Sequence, residues 1–253
     1  MLHQKVISSN TGFTKPNDED EISHIKKDNE RPHAKKANEI AVQNSTIFHY
    51  DFSDLDSYNR QTTSESNKTI NDLSGNNNYG TVRNISKVYF DSEQNAMFFN
   101  GKNDEDATGI SINNLNYVSG PSDQLESFTI QARIKAKSEL TNHGSDERII
   151  ISFDRSAVFR LSIGSDADSG VEGKLVFGFA NEDGSHTSFN SYQSLDLRDD
   201  QWHDIAVQFK ANTQNGLKLY IDGNLIHSDP NSYKPIGGQD DNETPRYGNI
   251  GNG

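Results

Sequence analysis

The chain has 253 residues, no cysteine, and 24 Lys and Arg against 37 Asp and Glu, for a formal net charge of -13. These numbers exclude disulfide staples, Cys-ligated zinc and thiol catalysis. They also argue against a nucleic-acid backbone or an anionic membrane surface as partner. No run is long and apolar enough to span a bilayer, so membrane insertion is not expected, and Met1–Asn10 lacks the basic start and apolar core of a secretory signal.

Residues 1–44 differ from the remainder of the chain. They hold few aromatics, and through Gln43 they carry seven Lys and Arg and seven Asp and Glu, so the later residues carry the whole negative charge. The composition predicts a flexible tail or linker. A short helix opening at Glu21, Ile22 and Ile25 that docks or oligomerises the domain is the other reading. From Ser45 onward apolar residues recur every second position, the period of a half-buried strand. Weak strands are expected near Ile47–Phe52, Lys87–Phe90, Ala96–Phe99 and Gly109–Ile112. A strict alternation comes next, with Phe128, Ile130, Ala132, Ile134 and Ala136 on one face. Later rows align Ile149, Ile151 and Phe153, then Phe159, Leu161 and Ile163, then Leu175, Phe177 and Phe179. Ile205, Val207 and Phe209 form another row, as do Leu217, Leu219 and Ile221. Asp222–Gly223–Asn224 after Ile221 is a strong hairpin signal. Glu182–Ser185 and Thr213–Gly216 also read as turns. Many short strands joined by Gly, Asn and Asp turns predict an all-β fold of antiparallel sheets packed face to face.

Several segments resemble the laminin-G-like family. Asp200–Gln201–Trp202–His203 opens a strand, and Leu219–Tyr220–Ile221–Asp222–Gly223 closes the next one, as in that family's "W-H" and "L-Y-I-D-G" segments. Asp72–Leu73–Ser74–Gly75–Asn76 with Gly80–Thr81 is similar to its "D-x-S-G-N-x-x-x-G-T" opening. Met97–Phe98–Phe99–Asn100–Gly101 is similar to its "L-x-F-D-G" strand, and Phe128–Ile134 to its "F-T-I" strand, with Arg133 where an aromatic is common. The resemblance covers about residues 46 to 253 and implies a concanavalin A-like jelly-roll sandwich of two antiparallel sheets over 45–253. Family members carry a further strand after an "I-G" segment, returning beside the first. Here that region is Tyr247–Gly253, so the expectation is a jelly roll lacking its last strand, either because the chain is a piece of a longer one or because something else fills that edge.

The chemistry of the residues favours recognition over catalysis. The acidic E-x-D-x-x-E strand of glucanases, whose paired carboxylates cleave a glycosidic bond, does not occur. The His-containing strand of alginate-lyase-like relatives does not occur either, nor do H-E-x-x-H, P-loop or G-x-S-x-G patterns. The chain is therefore expected not to be an enzyme. His203 reads either as a structural histidine at a strand edge or as a catalytic or metal-binding one, and no second histidine stands at ligand spacing. Calcium is the metal candidate, because Asn100–Asp106 is dense in the hard oxygen donors it needs. By resemblance, Asn103, Asp104 and Asp106 are its candidate ligands, with solvated turn residues as the alternative. Asp183 lies in a second acidic loop. Tyr79, Tyr192, Tyr233 and Tyr247 fall in loops, where a ring can stack on the apolar face of a sugar; ordinary exposed or half-buried tyrosines are the alternative. The expectation is a non-catalytic module that binds a glycan or an extracellular protein. It would be calcium-assisted and would act at an extracellular or virion surface within a larger multidomain or virion assembly. A structural or oligomerising domain without a glycan site, or a polysaccharide hydrolase or lyase, are the alternatives.

Overall fold

The computed structural model describes residues 2–9, 46–58, 69–100, 108–112, 125–138, 148–153, 158–164, 171–180, 186–190, 195–236 and 248–252. They form sixteen strands. These are β1 (Leu2–Ser9), β2 (Phe48–Tyr50), β3 (Thr69–Ile70), β4 (Gly80–Val82), β5 (Val88–Asp91), β6 (Ala96–Phe99), β7 (Thr108–Ile112) and β8 (Ser127–Ala136). They continue with β9 (Arg148–Phe153), β10 (Phe159–Ile163), β11 (Leu175–Ala180), β12 (His186–Asn190), β13 (Trp202–Lys210), β14 (Leu217–Ile221), β15 (Asn224–Asp229) and β16 (Gly248–Asn252). Sheet A runs β15-β14-β13-β8-β1-β6-β5, with β2 paired to β1; sheet B runs β12-β11-β10-β9-β16-β7-β4-β3. Every pairing is antiparallel, as between β8 and β13, where Phe128 stands opposite Phe209 and Ile134 opposite His203.

The alternation read from the sequence is what packs the two sheets. Ile130, Ile134, Val207 and Leu219 of sheet A and Leu161, Phe177, Ile110 and Ile250 of sheet B are all buried in one core. Phe128 is its hub. Its ring stacks on Phe159 and Phe209 with centroids 5.3 Å away in both cases, and tilts against Phe177 at 6.2 Å. Such pairs add to simple area burial because offset and edge-on rings match quadrupoles. The β14–β15 turn has positive φ at both central residues, 50° at Asp222 and 77° at Gly223. This backbone matches the twist of the flanking strands, and Gly adopts it without strain.

Two expectations are corrected. Within the stretch read as a tail, Leu2–Ser9 is a strand in the interior of sheet A, pairing with β8 from Leu2↔Ala136 to Ser9↔Thr129. Its mixed sequence hides this, because backbone hydrogen bonding on both edges places it there. Residues 10–44 lie outside the described residues. Of the two alternatives for the edge beside β2, truncation or filling by another segment, the structure has the second: β1 holds it, pairing Val6 with Tyr50 and Ser8 with Phe48. Gly248–Asn252 is itself a strand, seated between β7 and β9. The close packing there needs Gly248: a Cβ would lie 2.9 Å from the Phe153 ring and 3.0 Å from Ile112 Cδ1.

Because Phe128 touches both sheets, Phe128→Ala is expected to lower the unfolding free energy by about 3–5 kcal/mol. Urea denaturation monitored by Trp202 fluorescence measures this. A loss below ~1 kcal/mol would show that the ring cluster does not hold the sheets together.

Candidate ligand-binding face

Apart from a register shift in β9, where Ile150 and Ile151 are both buried in the core and Ile149 is not, the strands of sheet B alternate, so core-facing residues leave their neighbours on the outer face. The register lines those neighbours into one row across all eight strands: Thr69, Thr81, Ser111, Asn249, Ser152, Arg160, Gly178 and Ser188. With seven spacings of ~4.8 Å, the row is about 34 Å long. Its members are small or hydrogen-bonding, with one guanidinium, Arg160, near its centre. Ser152 is 2% exposed, and Ser162 in the next row is fully buried, although both face away from the core. The outward residues of sheet A, such as Gln131, Arg133 and Asp204, are exposed instead. Gly178 contributes no side chain, so the row is shallow beside Arg160. The atoms nearest a Cβ there would be Ser188 Oγ at 3.0 Å, the Thr187 carbonyl oxygen at 3.5 Å and Ser188 Cβ at 3.9 Å.

The electrostatics of this face differ from those of the chain. None of the eight strands of sheet B contains Asp or Glu; their titratable residues are Arg148, Arg160 and His186. Arg83, just past β4, donates from Nε to Ser111 Oγ at 2.5 Å, adding a second cation beside the row. Asn249 Oδ1 is buried and has no hydrogen-bond partner among the described residues. A buried acceptor left unpaired is costly, so its lone pairs are suited to a hydroxyl donor.

Sheet A offers a second concavity, a cleft of about 470 Å³ where β8 and β13 meet the 213–216 turn; Thr129, Gln208, Lys210 and Lys218 line it. Tyr220 OH donates to Gln208 Oε1 at 3.0 Å, so part of its polar lining is already paired within the protein. At the start of β13, His203, Asp199 and Asp222 form a clasp. His203 Nδ1 lies 2.8 Å from Asp222 Oδ2, and its Nε2 lies 3.1 Å from Asp199 Oδ1. Asp222 Oδ1 accepts the Asp204 N–H at 2.9 Å. With both ring nitrogens engaged and the ring buried, His203 ties the start of β13 to the β14–β15 turn. The Asp72 carboxylate plays a similar part at the other end. It accepts the N–H groups of His49, Ser74 and Asn78 at 2.9, 2.9 and 3.0 Å, which fixes the opening turn against β2.

Of the residues singled out from sequence, Asn103, Asp104, Asp106, Asp183, Tyr192 and Tyr247 lie outside the described residues. Tyr79 is 40% exposed beside the Asp72 turn. The Tyr233 ring meets Phe179 and Phe189 edge-on at 5.3 Å, and its hydroxyl donates to Asp229 Oδ1 at 3.1 Å, so its ring is committed to the core edge. Among the described residues, no three His, Asp or Glu side chains are grouped to hold a metal. The polar row of sheet B is not among the sequence expectations. Its signal is the outward row of the Phe-rich strands, where Ser152, Arg160, Ser162 and Gly178 alternate with Phe and Leu.

These features define a two-sheet antiparallel jelly-roll sandwich with a polar outer floor. A family model described as the concanavalin A-like lectin/glucanases superfamily, of laminin G type, matches residues 104–252, and the chain belongs to that family. Among solved structures, the chain is similar to the binding domain of Paraclostridial Mosquitocidal Protein 1, at 17% identity and a TM-score of 0.44, covering 76% of this chain and 46% of that one. It is similar to the botulinum neurotoxin serotype G binding domain, at 18% identity and a TM-score of 0.45, covering 72% and 44%. It is also similar to the serotype D ligand binding domain in complex with N-acetylneuraminic acid, at 16% identity and a TM-score of 0.46, covering 80% and 47%. The chain thus matches less than half the length of each of these toxin chains. No curated protein matches it by sequence.

The clasp predicts a pH dependence. Burial pulls the His203 pKa down, but its hydrogen bonds to Asp222 and Asp199 and their charges hold it above 6.5. A group whose pKa is raised on folding stabilises the fold fully below its unfolded value, and that stabilisation is lost as pH rises through the folded value. The stability difference between the wild type and His203→Gln is therefore expected to be largest near pH 5–6 and to shrink by pH 8–9. Urea midpoints across that range check this, and a difference that grows with pH would contradict the clasp.

Proposed function

We propose that the chain is a non-catalytic recognition module that binds an acidic glycan along the outer face of sheet B. The observation that carries this reading is the polar row with cations and no carboxylate in any sheet B strand, within a chain of net charge -13. A uronate or sialate carboxylate, or a sulfate, pairs with the exposed guanidinium of Arg83, whose Nε is held by Ser111 of the row. Sugar hydroxyls meet the hydroxyls of Ser111, half-buried in the row, and of Ser188, exposed at its end. Retaining or inverting glycoside hydrolysis needs two carboxylates flanking the scissile bond, and the sheet B strands supply none. Calcium held by Asn103, Asp104 and Asp106, and a place on an extracellular or virion surface, belong to the same proposal. The expectations that motivate them are the donor-rich loop and the laminin-G-like resemblance.

A glycan array with matched neutral and acidic saccharides tests the reading. Acidic glycans are expected to bind. Arg83→Ala removes a charge-assisted bond worth about 1.5–3 kcal/mol, so affinity is expected to fall about 10- to 100-fold. Equal binding of neutral glycans, an unaffected Arg83→Ala, or release of shortened or unsaturated saccharides would overturn the proposal. Loss of binding on chelation, restored by calcium, supports the calcium site.

A further inference from the structure

Strand β1 has an unusual place for the first strand of a chain. Along one edge it pairs with β8 over eight positions. Along the other it pairs first with β6, Leu2↔Phe99 to Gln4↔Met97, and then with β2, Val6↔Tyr50 to Ser8↔Phe48. Among the described residues it is the only link between β8 and β6 in sheet A, and β2 joins the sheet through it alone. Without β1, the sheet would present unpaired N–H and C=O groups on β8, on β6 and on β2, and such interior edges recruit another strand. The slot must therefore be filled, but nothing in the pairing requires the filling strand to come from the same chain. Residues 10–47, 38 in all, separate β1 from β2. At ~3.3–3.6 Å per residue this span reaches about 125–137 Å when fully extended, roughly three times the ~40 Å diameter of a sandwich of this size.

We infer that β1 is an exchangeable strand, and that the slot between β8 and the β6–β2 edge receives β1 from a second copy of this chain to give a strand-swapped dimer. Every ladder bond of the closed chain is kept in the swapped one, in the same register, so the two forms differ mainly in chain closure. Closure entropy changes slowly with the length of the closing segment. The local concentration that favours the closed form falls as that segment lengthens. High protein concentration then shifts the balance to the dimer, the low-cost route that swapping of an identical element provides. The symmetric product closes on itself, because each copy gives and receives one β1. The interaction is independent of the glycan face, which lies on the other sheet.

The chain has no cysteine, so the exchange can be read by directed cross-linking of the full chain. Lys5 and Arg133 are partners in the β1–β8 register, and antiparallel neighbours lie within disulfide reach. Lys5→Cys and Arg133→Cys are made in separate chains, mixed at high concentration and oxidised. A covalent heterodimer is expected, increasing with concentration, together with an internally bridged monomer when both substitutions share one dilute chain. Lys5→Cys mixed with Leu225→Cys, four strands away from β1, is expected to give none. Sedimentation of the unaltered chain is expected to show a mass rising from one copy toward two with concentration. The inference is overturned if only the double variant bridges and the mixture does not, if neither bridges, if the Leu225→Cys control links equally well, or if the unaltered chain stays a single copy at every concentration.

Discussion

Side chains alternate across each strand, and that geometry governs the whole molecule. One row of every strand must enter the core shared by sheets A and B, and the same constraint commits the other row to solvent or ligand. Phe128, Phe159, Phe177 and Phe209 occupy inward positions and hold the sheets together. Ser152 and Arg160, one position away from Phe153 and Phe159, are thereby fixed on the outer side. The core and the candidate ligand face are thus two readings of one pattern. A one-residue slip of register would exchange them and destroy both.

The parts of the fold legible in sequence are those where the inward row is purely apolar. The strand over Ser127–Ala136 and the pair ending at Asp222–Gly223 carry uninterrupted alternation and a turn that dictates its own backbone, and the structure places them as read. β1 and β16 are hidden for opposite reasons. β1 mixes Leu, Val and Ile with His, Gln, Lys and Ser, and its place comes from long-range backbone pairing that no local window contains. β16 is mostly Gly and Asn, which masks the usual strand signal, and at Gly248 the Phe153 ring leaves no room for a Cβ.

The functional reading shows the same division. Loop aromatics and acidic loops draw attention in a sequence because their residue types announce chemistry. Tyr233 shows how far this can mislead, since its ring is occupied by Phe179 and Phe189. The polar row of sheet B is built from Ser, Thr, Asn and Gly around one Arg, residues that look ordinary one at a time. It becomes a candidate site only when register sets eight of them side by side. The motif residues His203 and Asp72 turn out to share a different task, each using several hydrogen bonds to fix a strand end to a turn.

The distribution of charge has a kinetic consequence. On the proposed reading, an acidic saccharide at a distance meets the field of a body carrying thirteen excess negative charges. At contact it meets Arg83, beside a sheet whose strands have no carboxylate. The far field repels and the near field attracts. Mobile ions damp the first more than the second, because screening over a ~10 Å Debye length at 0.1 M acts most strongly on separated charges. Added salt then lowers the barrier to approach while it weakens the grip only modestly. Such a surface favours ligands presented many at a time on a fixed matrix over single molecules arriving from dilute solution.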